Sequence, residues 1–522
     1  MKLMPRTRLG VAWRAILALV LVVGCAAAAT ATAGLLQVKT IVGYISQNKA
    51  LSHVAVTLPA PGKPETLFLI GADRRYNEGS GIGNTDTMML VRIDDSSSTI
   101  NALSVPRDLG VQIDGSLHKL NAAYADGGPN LLLRTLQTQV FPGLDVTHIL
   151  VLDFAGFANL INQIGCVYGQ IDHRYYNYND GTASTDFSNI DLQPGYQKMC
   201  GGSGSNLGGA DTALAFVRFR HNDSDIVREA RQQDFLRWAK QSYSSSQLLS
   251  NRTTLLKTFG KAIQSDHSLQ TVNGLLDLFN LAINADGSSI KSIPFPYGPT
   301  ATTPAVGDYL TYSPTASEQA YAKFMTPTPT AATPPTRTST TPKTAHKVKH
   351  YKLPEYMQPD PNDGKSQADQ LGNAPGLPIF FPNEIPDNYA YCFAVSENCS
   401  EGYAATVYAH SYPRSYAIDG PGAKRYPSYV FTLAYTSGGI ADLGTGDFVT
   451  VQGTTWQDPP LLRSPTSTEV VKGKLLDIYK QGGAISTVSW HTKQAVYWIS
   501  NTLEDSVPNG QMIAMAASFT RA

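Results

Sequence analysis

Four short segments, Thr66–Gly71, Thr87–Ile93, Thr99–Val105 and Val146–Leu152, are apolar along almost their whole length. A strand wetted on one face alternates apolar and polar residues, and these do not. Such strands belong to a sheet covered on both faces. Helical stretches lie between them. Pro129 opens one in its first turn, and Leu131, Leu132 and Leu136 form its apolar stripe. Phe154–Ile164 is another, closed by Gly165. Asp211–Phe219 and Ile226–Lys240 are further candidates. Residues 64–300 therefore read as an α/β domain, an α-β-α sandwich.

Composition then changes. Residues 301–375 read as a linker, because the 18 residues Thr326–Lys343 include eight Thr and five Pro. Six Lys or Arg against one Glu between Ser313 and Lys352 make it basic. That suits a solvated spacer, or a tether to anionic wall polymer or lipid headgroups. Residues 376–522 read as a β-rich C-terminal domain of unknown role, with strands at Tyr429–Tyr435, Phe448–Gln452, Ala484–Trp490 and Ala495–Ile499. Trp456, Trp490 and Trp498 fit either core packing or sugar stacking.

The amino terminus sets the compartment. A basic tail, residues 1–14 with Lys2, Arg6, Arg8 and Arg14, precedes 22 uncharged residues, 15–36. As a helix they would span about 33 Å, enough for a bilayer core. The positive-inside rule puts the tail in the cytosol and everything after the 37–63 spacer outside. The expected location is the cytoplasmic membrane, single-pass, with an extracytoplasmic catalytic domain. Ala31-Thr32-Ala33 could instead be a signal-peptidase site, and Cys25 a lipidation site, giving a secreted or lipid-anchored chain. An oxidising exterior permits Cys166–Cys200 and Cys392–Cys399 disulfides, one of three possible pairings. With 41 basic and 41 acidic residues the net charge is zero, which argues against a nucleic-acid partner.

Polar residues of the first domain collect where strands end, the usual place for ligands in α/β sheets. They are Asp73, Arg74 and Arg75, then Asp86, then Arg107 and Asp108, then Lys119, and finally Arg218, Arg220, His221, Asp225, Arg228, Arg231, Gln232 and Gln233. Arginine forks match phosphate. Asp73 and Asp86 are the carboxylates placed to hold Mg²⁺ together with phosphate oxygens. The plainer alternative is a surface salt-bridge network. No segment matches a P-loop, a Rossmann glycine fingerprint, G-x-S-x-G or H-E-x-x-H.

These blocks resemble the LytR-CpsA-Psr family, bacterial enzymes that attach glycopolymers to the cell wall. Leu69–Arg75 resembles its G-x-D-x-R block, and Thr85–Leu90 resembles R-S-D-T-M-x-L. Leu103–Asp108 followed by His118–Tyr124 resembles S-I-P-R-D and K-I-N-A-A-Y. Ala213–His221 with Asp225, Arg228, Arg231, Gln232 and Gln233 resembles A-L-A-Y-V-R-x-R-H and D-x-x-R-x-x-R-Q-Q. The match covers roughly 64–245, and Asn84–Thr85 departs from the usual Arg-Ser. The resemblance implies an apolar pocket for a polyprenyl chain, with Asp73 and Asp86 on Mg²⁺. Arg75, Arg107, Arg218, Arg220 and Arg228 would grip a pyrophosphate. Arg231 and Gln232 would close the site, and Asp108 and Lys119 would support it. The implied reaction moves a glycopolymer phosphate from a polyprenyl-pyrophosphate carrier to peptidoglycan or a similar acceptor. A non-catalytic polyprenyl-lipid-binding or regulatory protein and a pyrophosphate hydrolase are the alternatives.

Overall fold

The computed structural model describes residues 42–43, 51, 54–58, 62–73, 83–94, 96–97, 99–177, 190–201, 212–219, 225–242, 263–271, 273, 290–326, 354–373, 376–393, 399, 411–437, 440–441, 447–481 and 483–522. The apolar run 15–36, Arg74, Arg75, Arg220, His221 and the Thr/Pro tract after Thr326 lie outside the described residues. Among the described residues no helix is long and apolar enough to cross a membrane.

The central sheet is built from β1 (Glu65–Asp73), β2 (Asn84–Asp94), β3 (Thr99–Ser104) and β4 (His148–Asp153). A hairpin, β5 (Val167–Ile171) and β6 (Gly195–Met199), stands apart from it. Two short strands, β7 (Ile263–Ser265) and β8 (Ile290–Ile293), complete the sheet in the order β7-β4-β1-β2-β3-β8. β1 and β4 are parallel, as are β3 and β8, while β2 runs against both its neighbours. Side chains along a strand point alternately to opposite faces. Phe68, Ile70, Ala72, Met88 and Leu90 enter one apolar core with helix α1 (Leu120–Thr135). Leu69, Gly71, Thr87 and Met89 face the other side. There they meet α2 (Phe154–Ile164), α3 (Thr212–Arg218) and α4 (Asp225–Ser242). The expected sandwich is the one observed. Pro129 does start a helical run, the second part of α1, after non-helical backbone at Gly127 and Gly128.

The linker expected from 301 starts later. Tyr297–Thr303 and Gly307–Tyr312 pair as a hairpin, and α5 (Pro314–Met325) follows. Ala320 and Phe324 of α5 are buried in the core that holds α1, so the first domain reaches at least Met325. A further helix, Pro361–Leu371, packs with Ala368 and Leu371 into the C-terminal core.

The C-terminal domain is a nine-stranded antiparallel sheet. Its main path runs through β9 (Tyr389–Tyr391), β10 (Arg425–Ser437), β11 (Phe448–Thr454), β12 (Ser467–Val471), β13 (Lys474–Gln481), β14 (Ala484–His491) and β15 (Val496–Ser500), ordered β9-β10-β11-β15-β14-β13-β12. Val449, Val451, Tyr497 and Ile499 face a core completed by Met512, Met515 and Ala516 of the helix Asn509–Ser518. The alternate residues face the first domain. Trp498 and Val496 join Trp456 in a second apolar cluster with Tyr168 of β5 and Tyr196 of β6. Gln452 accepts from the Tyr196 amide at 2.9 Å, and Trp498 donates to Gln170 at 3.2 Å. Trp456, Trp490 and Trp498 are all buried, so they pack rather than offer a sugar platform.

Candidate functional site

The carboxyl ends of β1, β3 and β4 lie at one edge of the sheet with the start of β2. At that edge the pairing of β1 with β2 breaks its register. Gly71 faces Thr87 and Ala72 faces Thr85, which leaves Asp86 as an extra, unpaired residue. This is a β-bulge, a device that re-aims a side chain. Regular alternation would turn Asp86 toward Met88 and the α1 core. The bulge brings it to the other side, beside Thr87. The buried Thr85 hydroxyl holds the distortion, donating to the Gly71 carbonyl at 2.8 Å, with the Thr87 carbonyl at 3.1 Å. Gly71 makes the close crossing with Thr87. A Cβ on it would sit 3.0 Å from the Thr87 Cβ, and the Thr87 hydroxyl is already engaged by Gln232 at 2.9 Å.

Asp86 is the electrostatic centre of the site. Arg107 Nη1 donates to its Oδ1, and Arg218 Nε donates to its Oδ2 at 3.2 Å. Arg107 comes from the turn after β3, and Arg218 from the end of α3. Burial alone would raise the Asp86 carboxyl, but Arg218, Arg107 and Arg228 together hold it below the ordinary carboxylate range. Asp108 pairs with Arg107 at 3.5 Å and with Lys119 at 3.3 Å, so both belong to the support of Arg107. The backbone of Asp73 ends β1, paired with Asn84 two residues before Asp86. Arg75 and Arg220 lie outside the described residues.

Behind this charged edge lies an apolar cavity with an empty volume of about 1140 Å³ including its mouth. Leu69, Met89, Leu150 and Leu152 of the sheet form one wall. Phe157, Leu160 and Ile161 of α2, Leu214 and Val217 of α3, and Phe235, Leu236 and Ala239 of α4 form the other. Asp86, Asp153 and Arg218 are its charged lining residues. Asp153 also caps α2, accepting from the Gly156 amide at 2.7 Å. Gln232 lines the cavity. Arg231 is not among the residues that line the cavity. It is fully buried, donates to the Phe219 carbonyl at 2.8 Å, and lies over the Tyr175 ring at 4.7 Å. A guanidinium over aromatic rings gains cation–π attraction there.

The Cys166 and Cys200 sulfurs are at disulfide distance, as are those of Cys392 and Cys399. Cys166 follows the C-cap of α2, and Gly201 packs against the Ala158 carbonyl of the same helix. The first pair therefore ties a cavity wall to β6.

Residues 36–323 match the LytR_cpsA_psr family model, more than half of the chain. The chain belongs to the LytR_cpsA_psr family. Among its relatives is the polyisoprenyl-teichoic acid–peptidoglycan teichoic acid transferase TagV of Bacillus subtilis, 27% identical over 180 residues, 33% of this chain and 42% of that one. TagU of Halalkalibacterium halodurans is 25% identical over 242 residues, covering 44% of this chain and 72% of TagU. The regulatory protein MsrR of Staphylococcus aureus is 30% identical over 178 residues, 34% of this chain and 48% of MsrR. The chain thus spans about half the length of TagV and of MsrR. Of solved structures, B. subtilis TagV is similar with a TM-score of 0.40 at 20% identity, covering 51% of this chain and 97% of that one. The family match ends at residue 323, so the C-terminal domain lies beyond it.

Proposed function

We propose that this chain transfers a glycopolymer phosphate from a polyprenyl-pyrophosphate carrier to a hydroxyl of peptidoglycan or a similar wall polymer, outside the cytoplasmic membrane. The observation that carries this reading is the junction of an apolar cavity with a cationic edge, at Asp86 and Arg218. An amphiphile with a long apolar tail and an anionic head matches both parts. The family relatives TagV and TagU are named as transferases of polyisoprenyl-linked teichoic acid to peptidoglycan, in keeping with such a donor.

In the reaction, the acceptor oxygen forms a bond to the phosphorus that bears the glycan. The bond from that phosphorus to the bridging oxygen breaks, and polyprenyl phosphate leaves. The acceptor proton is lost as the phosphodiester forms. Negative charge gathers on the transferring group and on the leaving phosphate. Arg107, Arg218 and Arg228 are the groups to stabilise it. Each guanidinium has five N–H donors, so pairing with Asp86 leaves donors for phosphate. A carboxylate held below its ordinary range accepts a proton poorly, so Asp86 acts here by charge rather than as the base. An ionised carboxylate at the mouth of a phosphate site also suits a hard cation. Asp86, with Asp73 from the adjoining strand, would hold Mg²⁺, which would neutralise pyrophosphate charge when bound.

The test is to incubate the protein with a polyprenyl-pyrophosphate glycan and peptidoglycan fragments, with Mg²⁺ or with EDTA. Coupled product that disappears in EDTA is expected. Free glycan phosphate without coupling would make the chain a hydrolase. Donor bound intact under both conditions would refute the transferase reading.

A further inference from the structure

Helix α4 carries Arg228 and Arg231 one turn apart, and both are buried. Arg228 acts on Asp86. Arg231 lies against Tyr175, with the Phe216 and Phe219 rings at 5.5 and 5.6 Å. A buried guanidinium requires compensation. Tyr175 supplies the route to it, because its hydroxyl donates to the buried Asp172 Oδ1 at 2.7 Å. Burial alone would raise the Asp172 carboxyl, but His173, the Tyr175 hydroxyl and Arg231 hold it below the ordinary carboxylate range.

The segment Asp172–Tyr175 is gripped from its other side by the C-terminal domain. Thr432 of β10 donates its hydroxyl to the Asp172 carbonyl at 2.9 Å. The Arg174 amide donates to the Tyr412 hydroxyl at 2.8 Å. Phe448 of β11 stacks on His173, with ring centres 4.2 Å apart and planes at 21°. A continuous series of contacts therefore runs from the C-terminal sheet through Asp172 and Tyr175 to Arg231. Arg228 follows one turn nearer the start of α4. Asp172, Tyr175 and Arg231 do not line the apolar cavity.

We propose that Asp172 and Tyr175 are positioning residues through which the C-terminal domain holds Arg231, and with it the start of α4 that sets Arg228 against Asp86. The catalytic consequence rests on the phosphate-site reading above. The domain then acts as a buttress for the site rather than as a separate module. Removing one link loosens the first turns of α4, which carry Arg228, while Phe235, Leu236 and Ala239 in its later turns keep the cavity wall. Sub-ångström misplacement of a charged group that recognises phosphate is enough to weaken the site.

The experiment uses the full chain and the variants Asp172→Asn, Tyr175→Phe and Thr432→Val, with the double variant D172N/T432V. The probes are farnesyl pyrophosphate, which reads the head site, and farnesol, which reads the cavity alone. Calorimetry is expected to show farnesyl pyrophosphate weakened about tenfold in each single variant, as for other supporting groups behind a ligand site. Farnesol affinity should stay at the wild-type value. The double variant should bind no worse than D172N, because serial contacts are not additive. Amide exchange at residues 227–232 should accelerate in every variant. If D172N fails to fold, Tyr175→Phe and Thr432→Val carry the test, since each removes only a hydroxyl. Wild-type pyrophosphate affinity and wild-type exchange in folded variants would overturn the proposal. A wild-type protein that ignores farnesyl pyrophosphate would instead refute the phosphate-site reading, and the exchange at 227–232 would alone decide the positioning.

Discussion

The bulge at Asp86 makes one sharp prediction, for Thr85→Val. The substitution keeps the shape and favours a strand, so any effect comes from the hydroxyl. That hydroxyl is fully buried and reaches two carbonyls, Gly71 at 2.8 Å and Thr87 at 3.1 Å. It has one proton, so one strong hydrogen bond is lost and a buried acceptor is left bare. The expected cost is about 1–3 kcal/mol. For a domain of this size that is a fall in Tm of about 2–8 °C. Function should suffer more than stability. Without its pin the bulge can relax toward regular pairing, which turns Asp86 toward Met88 and Leu90. A carboxylate cannot stay ionised in that core, so the strand would settle in a mixture of registers. Thermal melts, donor binding and turnover on the same samples test this. A T85V protein with wild-type Tm and wild-type turnover would show that the hydroxyl does not hold the bulge.

Other outcomes follow from the same geometry. Arg107→Ala and Arg218→Met should each lower turnover by about 10²–10³-fold, as loss of one charge-stabilising donor does, with Tm within a few degrees; full activity in both would remove Asp86 and its arginines from the site. His148 lies buried between Glu65 at 3.2 Å and Asp266 at 3.3 Å, and these partners outweigh burial to raise it from 6.5 to about 9. The protonated ring is thus favoured in the folded state, so stability from it is complete below pH 6.5 and lost as pH rises toward 9. Urea melts across pH 6 to 10 should show this loss in the wild type and lack it in His148→Gln. Reducing the Cys166–Cys200 pair, which closes a loop of 34 residues, should cost about 3–4 kcal/mol and show as a lower Tm in dithiothreitol.

Much of the first domain was legible because its chemistry is local. Apolar strands, helix stripes and polar strand ends are each carried by neighbouring residues, and the sheet places Asp86, Arg107 and Arg218 together as their positions suggested. The boundary at 300 was not legible. Tyr297–Tyr312 contains four Thr and two Pro, the composition of a spacer, yet it forms a hairpin against the first core. The way Asp86 reaches that site was not legible either, because its bulge depends on the partner strand. The packing of Arg231 against Tyr175 and Phe219 comes from other elements, so no local pattern gives it.

The C-terminal domain was opaque for a related reason. Along β11 and β15, Val449, Val451, Tyr497 and Ile499 alternate with Thr450, Gln452, Trp498 and Ser500. In isolation that pattern describes a sheet with one dry face and one wet face. Every residue of both strands is buried instead. The polar row is matched by Gln170 and the Tyr196 amide, which lie more than 250 residues earlier in the chain. Polar residues at an interface between domains look like surface residues until their partners are known. A sheet so matched cannot shed its neighbour without exposing the apolar cluster of Tyr168, Tyr196, Trp456 and Trp498 to water. The shared face therefore argues for one working unit, in which the Asp86 site and the domain behind it are set together.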